Sequence, residues 1–274
     1  MTLTRRTLVV TGLATGLAAR TARADQRDTL ARVKSTGLLR IGAVNAQPPY
    51  SYTDPQSATW SGFMIDIAQD FAASLGARIQ PVESTWGNAV LDIQSDRVDI
   101  FFGLAPTPQR ALAVDFTKPL FDNAFALIAR PGFTPKTWDD LNKPDIRIAI
   151  ERGTVYDQSI EKLAPLATIL RLPNNNAAAL AVQTNHADCQ IIVVILALTS
   201  LAKNPALGHL EVPTPLHASP TAAITPKQSS STWRDTADAW ITTRRQSGWL
   251  RAKLIENLEK IGVHASDVPP QLLF

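Results

Sequence analysis

Short apolar segments alternate with helix-like segments along most of the chain, and this alternation constrains the fold more than any other feature. Strands that alternate with helices favour parallel sheets covered on both faces. The pattern starts again near Arg130, which predicts two α/β lobes, with the cleft between them as the expected ligand site. The predicted strands are 38–44, 78–83, 98–103, 124–130, 145–151, 167–172, 188–195 and 221–227. The predicted helices are 62–76, 86–97, 137–141, 153–164, 175–184, 231–248 and 249–262.

The first 24 residues have the layout of an export signal. A basic start precedes an apolar stretch from Leu8 to Ala19, and the small-x-small triplet 22–24 is a typical cleavage site. The apolar stretch is too short to span a bilayer by itself. Arg5 and Arg6 indicate a twin-arginine signal, and an ordinary secretory signal that holds two arginines is the alternative. Either signal predicts an exported, periplasmic protein.

Removal of this signal reverses the net charge of the chain. The whole sequence has 27 basic and 24 acidic residues, a formal net charge of +3. Four of the arginines lie in the predicted signal, so the mature chain is close to neutral, and its charge does not indicate nucleic-acid binding. The single cysteine, Cys189, excludes an internal disulfide. The four histidines have no metal-ligand spacing, and we expect neither a metal nor another cofactor.

The segment GLAPTPQRALAVDFTKP, 103–119, contains a lone arginine, Arg110, with no acid within four residues on either side. A guanidinium presents a planar fork of N–H donors that matches a carboxylate with two hydrogen bonds. The sequence therefore leaves Arg110 available for an anionic ligand. A salt bridge on the surface or between the lobes is the alternative.

Four segments, taken in order, resemble the solute-binding proteins of bacterial ABC importers for polar amino acids. They are GLLRIGAV with PPYSYTD, WSGFMIDIAQDFAASLG, DRVDIFFGLAPTPQRALAVDFTKPL and IAIERGTVYDQSI. The resemblance implies a two-lobed periplasmic-binding-protein clamshell of the α/β class. Each lobe is then a mostly parallel sheet flanked by helices, and two crossing segments form the hinge. It implies that 25–126 and 222–274 form the first lobe and 127–221 the second.

The resemblance also implies a ligand site. Arg110 corresponds to the arginine that grips the ligand's α-carboxylate, and Thr154 to the second-lobe contact with that carboxylate. Because Thr154 sits where a helix should begin, unpaired N–H groups favour an anion there; a plain N-cap is the alternative. We expect the walls of the pocket to be formed by the backbone of Gly103 and Ala105 and by the side chains of Trp86, Tyr50 and Gln47. For Trp86 and Tyr50, burial in the hydrophobic core is the alternative.

One departure from the family bears on specificity. Asp188 matches the first acid of a second-lobe motif, but Val193 stands five residues later, where the acid that binds the ligand's α-ammonium is expected. A buried ammonium opposite valine would lack a partner. Either another group takes the ammonium, or the ligand lacks one.

The predicted function is the periplasmic binding component of an ABC transporter, a monomer that carries a small carboxylate-bearing solute to an inner-membrane permease. A few proteins that resemble this family are periplasmic enzymes, notably cyclohexadienyl dehydratases, which need an acid in the pocket. The run 193–196 supplies none, so we expect no enzyme activity. A sensor module that presents its ligand to a receptor, and a member that works through protein contacts alone, remain alternatives.

Overall fold

The computed structural model describes residues 28–54 and 56–268, so the predicted export signal lies outside the described residues. The helices are α1 Thr29–Thr36, α2 Phe63–Ser74, α3 Ala89–Gln94, α4 Pro108–Ala113, α5 Val155–Leu163, α6 Asn175–Gln183, α7 Val194–Lys203, α8 Thr232–Gln246 and α9 Trp249–Glu259. The strands are β1 Leu38–Val44, β2 Tyr52–Thr53, β3 Trp60–Ser61, β4 Arg78–Ser84, β5 Ile100–Leu104, β6 Asp115–Phe116, β7 Phe121–Ala129, β8 Arg147–Glu151, β9 Thr168–Leu172, β10 Cys189–Val193, β11 His209–Glu211 and β12 Ala218–Thr225.

The main strands follow one another in the order β4-β1-β5-β12-β7-β10-β8-β9. The outer trios, β4-β1-β5 and β10-β8-β9, are parallel. The pairs β5-β12, β12-β7 and β7-β10 are antiparallel. The predicted parallel pairing is confirmed within each trio, and β7 and β12 join the two trios into one mixed sheet. We call the part around β4-β1-β5 the first sheet and the part around β10-β8-β9 the second sheet. Strands β7 and β12 pair from Phe121 opposite Thr221 to Ala124 opposite Ala218.

The C-terminal helices return to the first sheet. Phe71 of α2 is fully buried, and its ring lies 5.5 Å from that of Trp233 and 5.4 Å from that of Trp240, both on α8. Apolar residues of α2 recur at helical spacing and face this cluster, as an amphipathic helix on a sheet requires. The second sheet has a separate apolar core around Leu127, Ile148 and Ile191.

Two local predictions are wrong. The segment 137–141 is a turn and not a helix: its backbone N–H groups donate three residues back, from Leu141 to the Trp138 carbonyl and from Asn142 to the Asp139 carbonyl, at 3.1 Å each, and Pro144 then prevents a helix from continuing. The strand predicted over 188–195 ends at Val193, and α7 begins at Val194. An uninterrupted apolar run fits a buried strand and a buried helix equally well, so its pattern carried no sign of this boundary. The sequence also did not predict α1 or α4.

No helix among residues 28–54 and 56–268 is long and apolar enough to cross a membrane.

Candidate functional site

Arg110 lies in the first turn of α4, beyond the end of β5. Thr107 is the N-cap, and its hydroxyl accepts the backbone N–H of Arg110 at 3.2 Å. The Arg110 side chain is buried, and this burial lowers its pKa. Its guanidinium donates to the carbonyl oxygens of Ala105, at 2.9 Å, and of Gly153, at 2.8 Å. No carboxylate of the described residues forms an ion pair with it, so its positive charge has no anionic partner there.

The N-terminus of α5 faces Arg110 from the second sheet. Thr154 is the N-cap, and its hydroxyl accepts from the Asp157 N–H at 3.3 Å and donates to the Glu151 carbonyl at 2.8 Å. The N–H groups of Val155 and Tyr156 belong to the first helical turn, which has no intrahelical acceptors. This end of α5 therefore favours an anion by its partial positive charge and its free donors.

A cavity lies between Arg110 and this helix end. The volume of this cavity is about 60 Å³, which is enough for a compact group. Six of the seven predicted site residues line it, and their contact with a ligand stays a prediction. The cavity is lined by Tyr50, Trp86, Gly103, Leu104, Ala105, Arg110, Asn123, Thr154, Val155, Tyr156, Val193, Leu196, Ser219 and Thr221.

Tyr50 and Trp86 form one wall of this cavity. Their rings meet edge to face with centroids 6.2 Å apart, and both side chains are buried. The Tyr50 hydroxyl accepts from the Asn123 side chain at 2.7 Å, and burial raises the pKa of Tyr50. Gly103 has φ +102°, and a Cβ there would lie 3.1 Å from the Trp86 ring. Glycine therefore lets the indole lie against the backbone of β5.

The bacterial extracellular solute-binding proteins, family 3, match residues 39–259 of this chain. The chain belongs to this family. Cyclohexadienyl dehydratase of Pseudomonas aeruginosa is 25% identical over 245 residues, covering 85% of this chain and 87% of its own. The ABC transporter glutamine-binding protein GlnH of Bacillus subtilis is 26% identical over 167 residues, covering 60% and 61%.

The structure of the ancestral amino acid-binding protein AncCDT-1, a precursor of cyclohexadienyl dehydratase, superposes with a TM-score of 0.74 at 25% identity. The match covers 85% of this chain and 98% of that one. The predicted two-lobed clamshell is thereby confirmed. The cavity of this family 3 protein lies in the cleft between the lobes.

Gln47, the seventh predicted site residue, does not line this cavity. Its side-chain oxygen accepts from Asn175 of the second lobe at 3.1 Å, and nearby the Thr199 hydroxyl donates to the Pro48 carbonyl at 2.8 Å. Gln47 and Asn175 border a second, larger cavity of about 610 Å³ by the same measure. Leu196 lines both cavities, so the two are neighbours along the cleft.

The second-lobe motif of this family 3 protein brings no acid to the cavity. Val193 lines the cavity at the start of α7. Asp188 instead faces the far end of the sheet, where it accepts from Arg130 Nε at 3.0 Å and from Arg147 Nη2 at 3.0 Å. Burial raises the pKa of Asp188, but hydrogen bonds from Arg147 and Arg130 outweigh it and hold the pKa below its usual range. Asp188 is therefore a structural carboxylate.

Sequence reasoning missed Glu151. It ends β8, is only 2% exposed, and its Oε2 atom has no hydrogen-bond donor among the described residues. Burial raises its pKa to about 7, against the opposing effect of a hydrogen bond from the Asn175 backbone N–H. The sequence feature that could have identified Glu151 is its position as the single acid at the carboxyl end of the apolar strand RIAIE. This is the edge of the sheet where α/β proteins bind ligands. Among the described residues, no cluster of acids, histidines and cysteine could hold a metal ion.

Proposed function

We propose that this chain binds a small carboxylate-bearing solute, an amino acid or a related organic acid, in the cleft cavity and delivers it to an ABC permease. The observation that carries the proposal is the buried guanidinium of Arg110. Its charge faces the cavity without an anionic partner among the described residues, opposite the N-terminus of α5. Two positive elements around one small cavity suit a carboxylate.

We propose that ligand binding and lobe closure are coupled. A ligand favours closure only if it gains contacts that the open form lacks. Arg110 belongs to the first lobe and Thr154 to the second, so a carboxylate between them gains from closure. The hinge then consists of the paired strands β7 and β12. Residues 25–126 and 222–274 would move as one lobe and 127–221 as the other.

Export, partner and assembly follow from the sequence and from the family. The family is extracellular. We propose periplasmic export through a signal in residues 1–24, by the twin-arginine route that Arg5 and Arg6 indicate. The mature protein acts as a monomer with a membrane permease and needs no cofactor. GlnH, a relative by sequence, is named as an ABC transporter binding protein, which supports the permease as partner.

An enzyme is the second candidate, because the dehydratase of Pseudomonas aeruginosa matches over most of both chains. General acid–base catalysis requires a titratable group that can reach the reacting proton. The cavity lining described above contains no carboxylate and no histidine, and burial raises the pKa of its two tyrosines. Glu151, whose backbone carbonyl accepts from the Thr154 hydroxyl, is the candidate acid. Binding is therefore the favoured function. An assay that detects formation of an aromatic product from a cyclohexadienyl substrate, by its ultraviolet absorbance, would overturn this conclusion.

The direct test of binding is a thermal-shift screen with amino acids beside keto, hydroxy and dicarboxylic acids. A ligand of the folded state raises the melting temperature by mass action. We expect at least one carboxylate to give a shift that Arg110→Ala abolishes and Arg251→Ala, a change at an exposed position of α9, preserves. If no compound of the panel raises the melting temperature of the folded protein, the proposal is refuted.

A further inference from the structure

One buried acceptor oxygen of the small cavity has no hydrogen-bond donor among the described residues. This atom is Oδ1 of Asn123, a residue that is 2% exposed and lines the cavity. The amide nitrogen of Asn123 donates to the Tyr50 hydroxyl at 2.7 Å, which leaves the oxygen as the unpaired atom. Buried acceptors nearly always have a donor, and one without a partner destabilises the fold. An unpaired acceptor beside a cavity therefore points to a hydrogen-bond donor on the ligand.

Asn123 lies on β7, one of the two strands that join the lobes. It pairs with Ser219 of β12, and Phe121 pairs with Thr221. Directly opposite residues of antiparallel strands share a face of the sheet, as do residues two positions apart on one strand. Asn123, Ser219 and Thr221 therefore lie on the same face, and all three line the cavity. This side of the cavity is neutral and polar, with one amide and two hydroxyl groups.

The charges around the cavity restrict what the donor on the ligand can be. Among the described residues that line the cavity, Arg110 is the only charged one. Glu151, the buried acid at the end of β8, lines neither this cavity nor the larger one. An ammonium beside Asn123 would lose its water shell without a carboxylate to pair with, and this burial is costly. A neutral donor loses much less when it leaves water.

A hydroxyl is a neutral group that donates to an amide oxygen. It also fits the Asn123 amide in the reversed orientation, in which the nitrogen would face the cavity, because a hydroxyl accepts as well as donates. A keto oxygen accepts only, and an ammonium donates only. We propose that Asn123 recognises a hydroxyl of the ligand, so that the small cavity selects a hydroxy acid whose carboxylate is held by Arg110. This inference rests on the proposed function, and it narrows the solute to an acid without an amine.

The competing account gives Asn123 a structural role only. Through its hydrogen bond to the Tyr50 hydroxyl, Asn123 positions the aromatic wall of the cavity, whatever groups the ligand carries. That account predicts that removal of the amide changes the affinity for all small carboxylates by the same factor. The ratio of the affinities for a hydroxy acid and for the same acid without the hydroxyl therefore separates the two accounts.

The experiment compares three-carbon acids that differ in one group. Propanoate is the reference; L-lactate, D-lactate and 3-hydroxypropanoate add a hydroxyl, pyruvate adds a keto oxygen, and L-alanine adds an ammonium. Their dissociation constants are measured by calorimetry on the wild type and on two variants. Asn123→Leu keeps a similar volume without the amide, and Gln183→Leu is the matched change at an exposed position of α6.

We expect the best hydroxy acid to bind the wild type about tenfold or more tightly than propanoate, because its hydroxyl gives the buried acceptor a donor. Pyruvate and L-alanine should bind no more tightly than propanoate. Asn123→Leu should reduce the ratio between the best hydroxy acid and propanoate to near unity, and Gln183→Leu should preserve it. Which hydroxy acid binds best then identifies the position of the hydroxyl that reaches Asn123.

Three results would overturn the inference: an unchanged ratio in folded Asn123→Leu, no wild-type preference for a hydroxy acid over propanoate, or pyruvate or L-alanine binding as tightly as the best hydroxy acid. Should Asn123→Leu fail to fold, Asn123→Ala provides the same comparison, and an unchanged ratio there also overturns it. If none of these acids binds while another carboxylate of the wider screen does, the inference fails and the proposed function stands. If no carboxylate binds at all, both fail.

Discussion

Replacement of Arg110 by methionine tests the carboxylate site most directly. Methionine fills a similar volume without the charge, so the change removes both donors that a carboxylate would use. Truncation of one partner of a buried, hydrogen-bonded charge pair costs about 2–5 kcal/mol, which corresponds to a loss of affinity of about 30- to 4,000-fold. The unliganded protein loses only two hydrogen bonds, to the carbonyls of Ala105 and Gly153, and is relieved of a buried charge. We expect its melting temperature to change by a few degrees at most.

Calorimetric titration with the best carboxylate of the screen measures the first effect, and thermal unfolding without ligand measures the second. Arg251→Met, at an exposed position of α9, is the control and should match the wild type in both. If Arg110→Met binds that ligand within about threefold of the wild type, a difference below 1 kcal/mol, Arg110 does not hold the carboxylate. The ligand would then bind elsewhere in the cleft.

Three further predictions concern the surroundings of the site. Gly103→Ala should lower the free energy of unfolding by about 1–3 kcal/mol, because φ is +102° at this position and the new Cβ would lie 3.1 Å from the Trp86 ring. Urea unfolding measures this free energy, and an unchanged midpoint would contradict the prediction. Asp188→Asn should lower the free energy of unfolding by about 1–2 kcal/mol. This is less than the loss expected for a fully buried ion pair, because the Arg147 side chain is 40% exposed. The affinity for ligand should not change. The pKa of Glu151 is raised to about 7, so the folded state binds its proton more tightly, and this residue should reduce stability as pH rises from about 4.5 to 7. Glu151→Gln should therefore have a flatter stability profile over that range, and parallel profiles would refute the assignment.

Most of the helices and strands, and the positions of Arg110 and Thr154 within them, were predictable from sequence because they depend on local patterns. The alternation of strands and helices indicates the sheets, and the spacing around Arg110 and Thr154 places a cation and a helix start after two separate strands. The prediction failed where one sequence pattern is compatible with both a strand and a helix. The run around Val193 is apolar throughout, and its change from strand to helix depends on tertiary packing.

Glu151 could not be identified from the sequence for a different reason. An acid at the end of a strand is ordinarily solvated, and nothing local distinguishes it from its exposed neighbour Arg152. The backbone N–H of Asn175 donates to its carboxylate, and this residue lies 24 positions later and meets Glu151 only when α6 packs beside β8. The surroundings of Glu151 thus depend on long-range contacts, whereas the positions of Arg110 and Thr154 each follow from one short segment of the sequence.

The contacts across the cleft bear on how a ligand would control closure. Apart from the paired hinge strands and the residues next to them, three hydrogen bonds join the lobes among the described residues: Arg110 to Gly153, Asn175 to Gln47, and Thr199 to Pro48. At about 1 kcal/mol each, they stabilise closure by a few kcal/mol before the cost of ordering the lobes. A carboxylate at Arg110 exchanges a neutral carbonyl acceptor for a charged one, so its contribution to closure is the difference between two hydrogen bonds. A ligand that gains further contacts with the second lobe adds to that difference. Ligands that contact both lobes should therefore close them most completely.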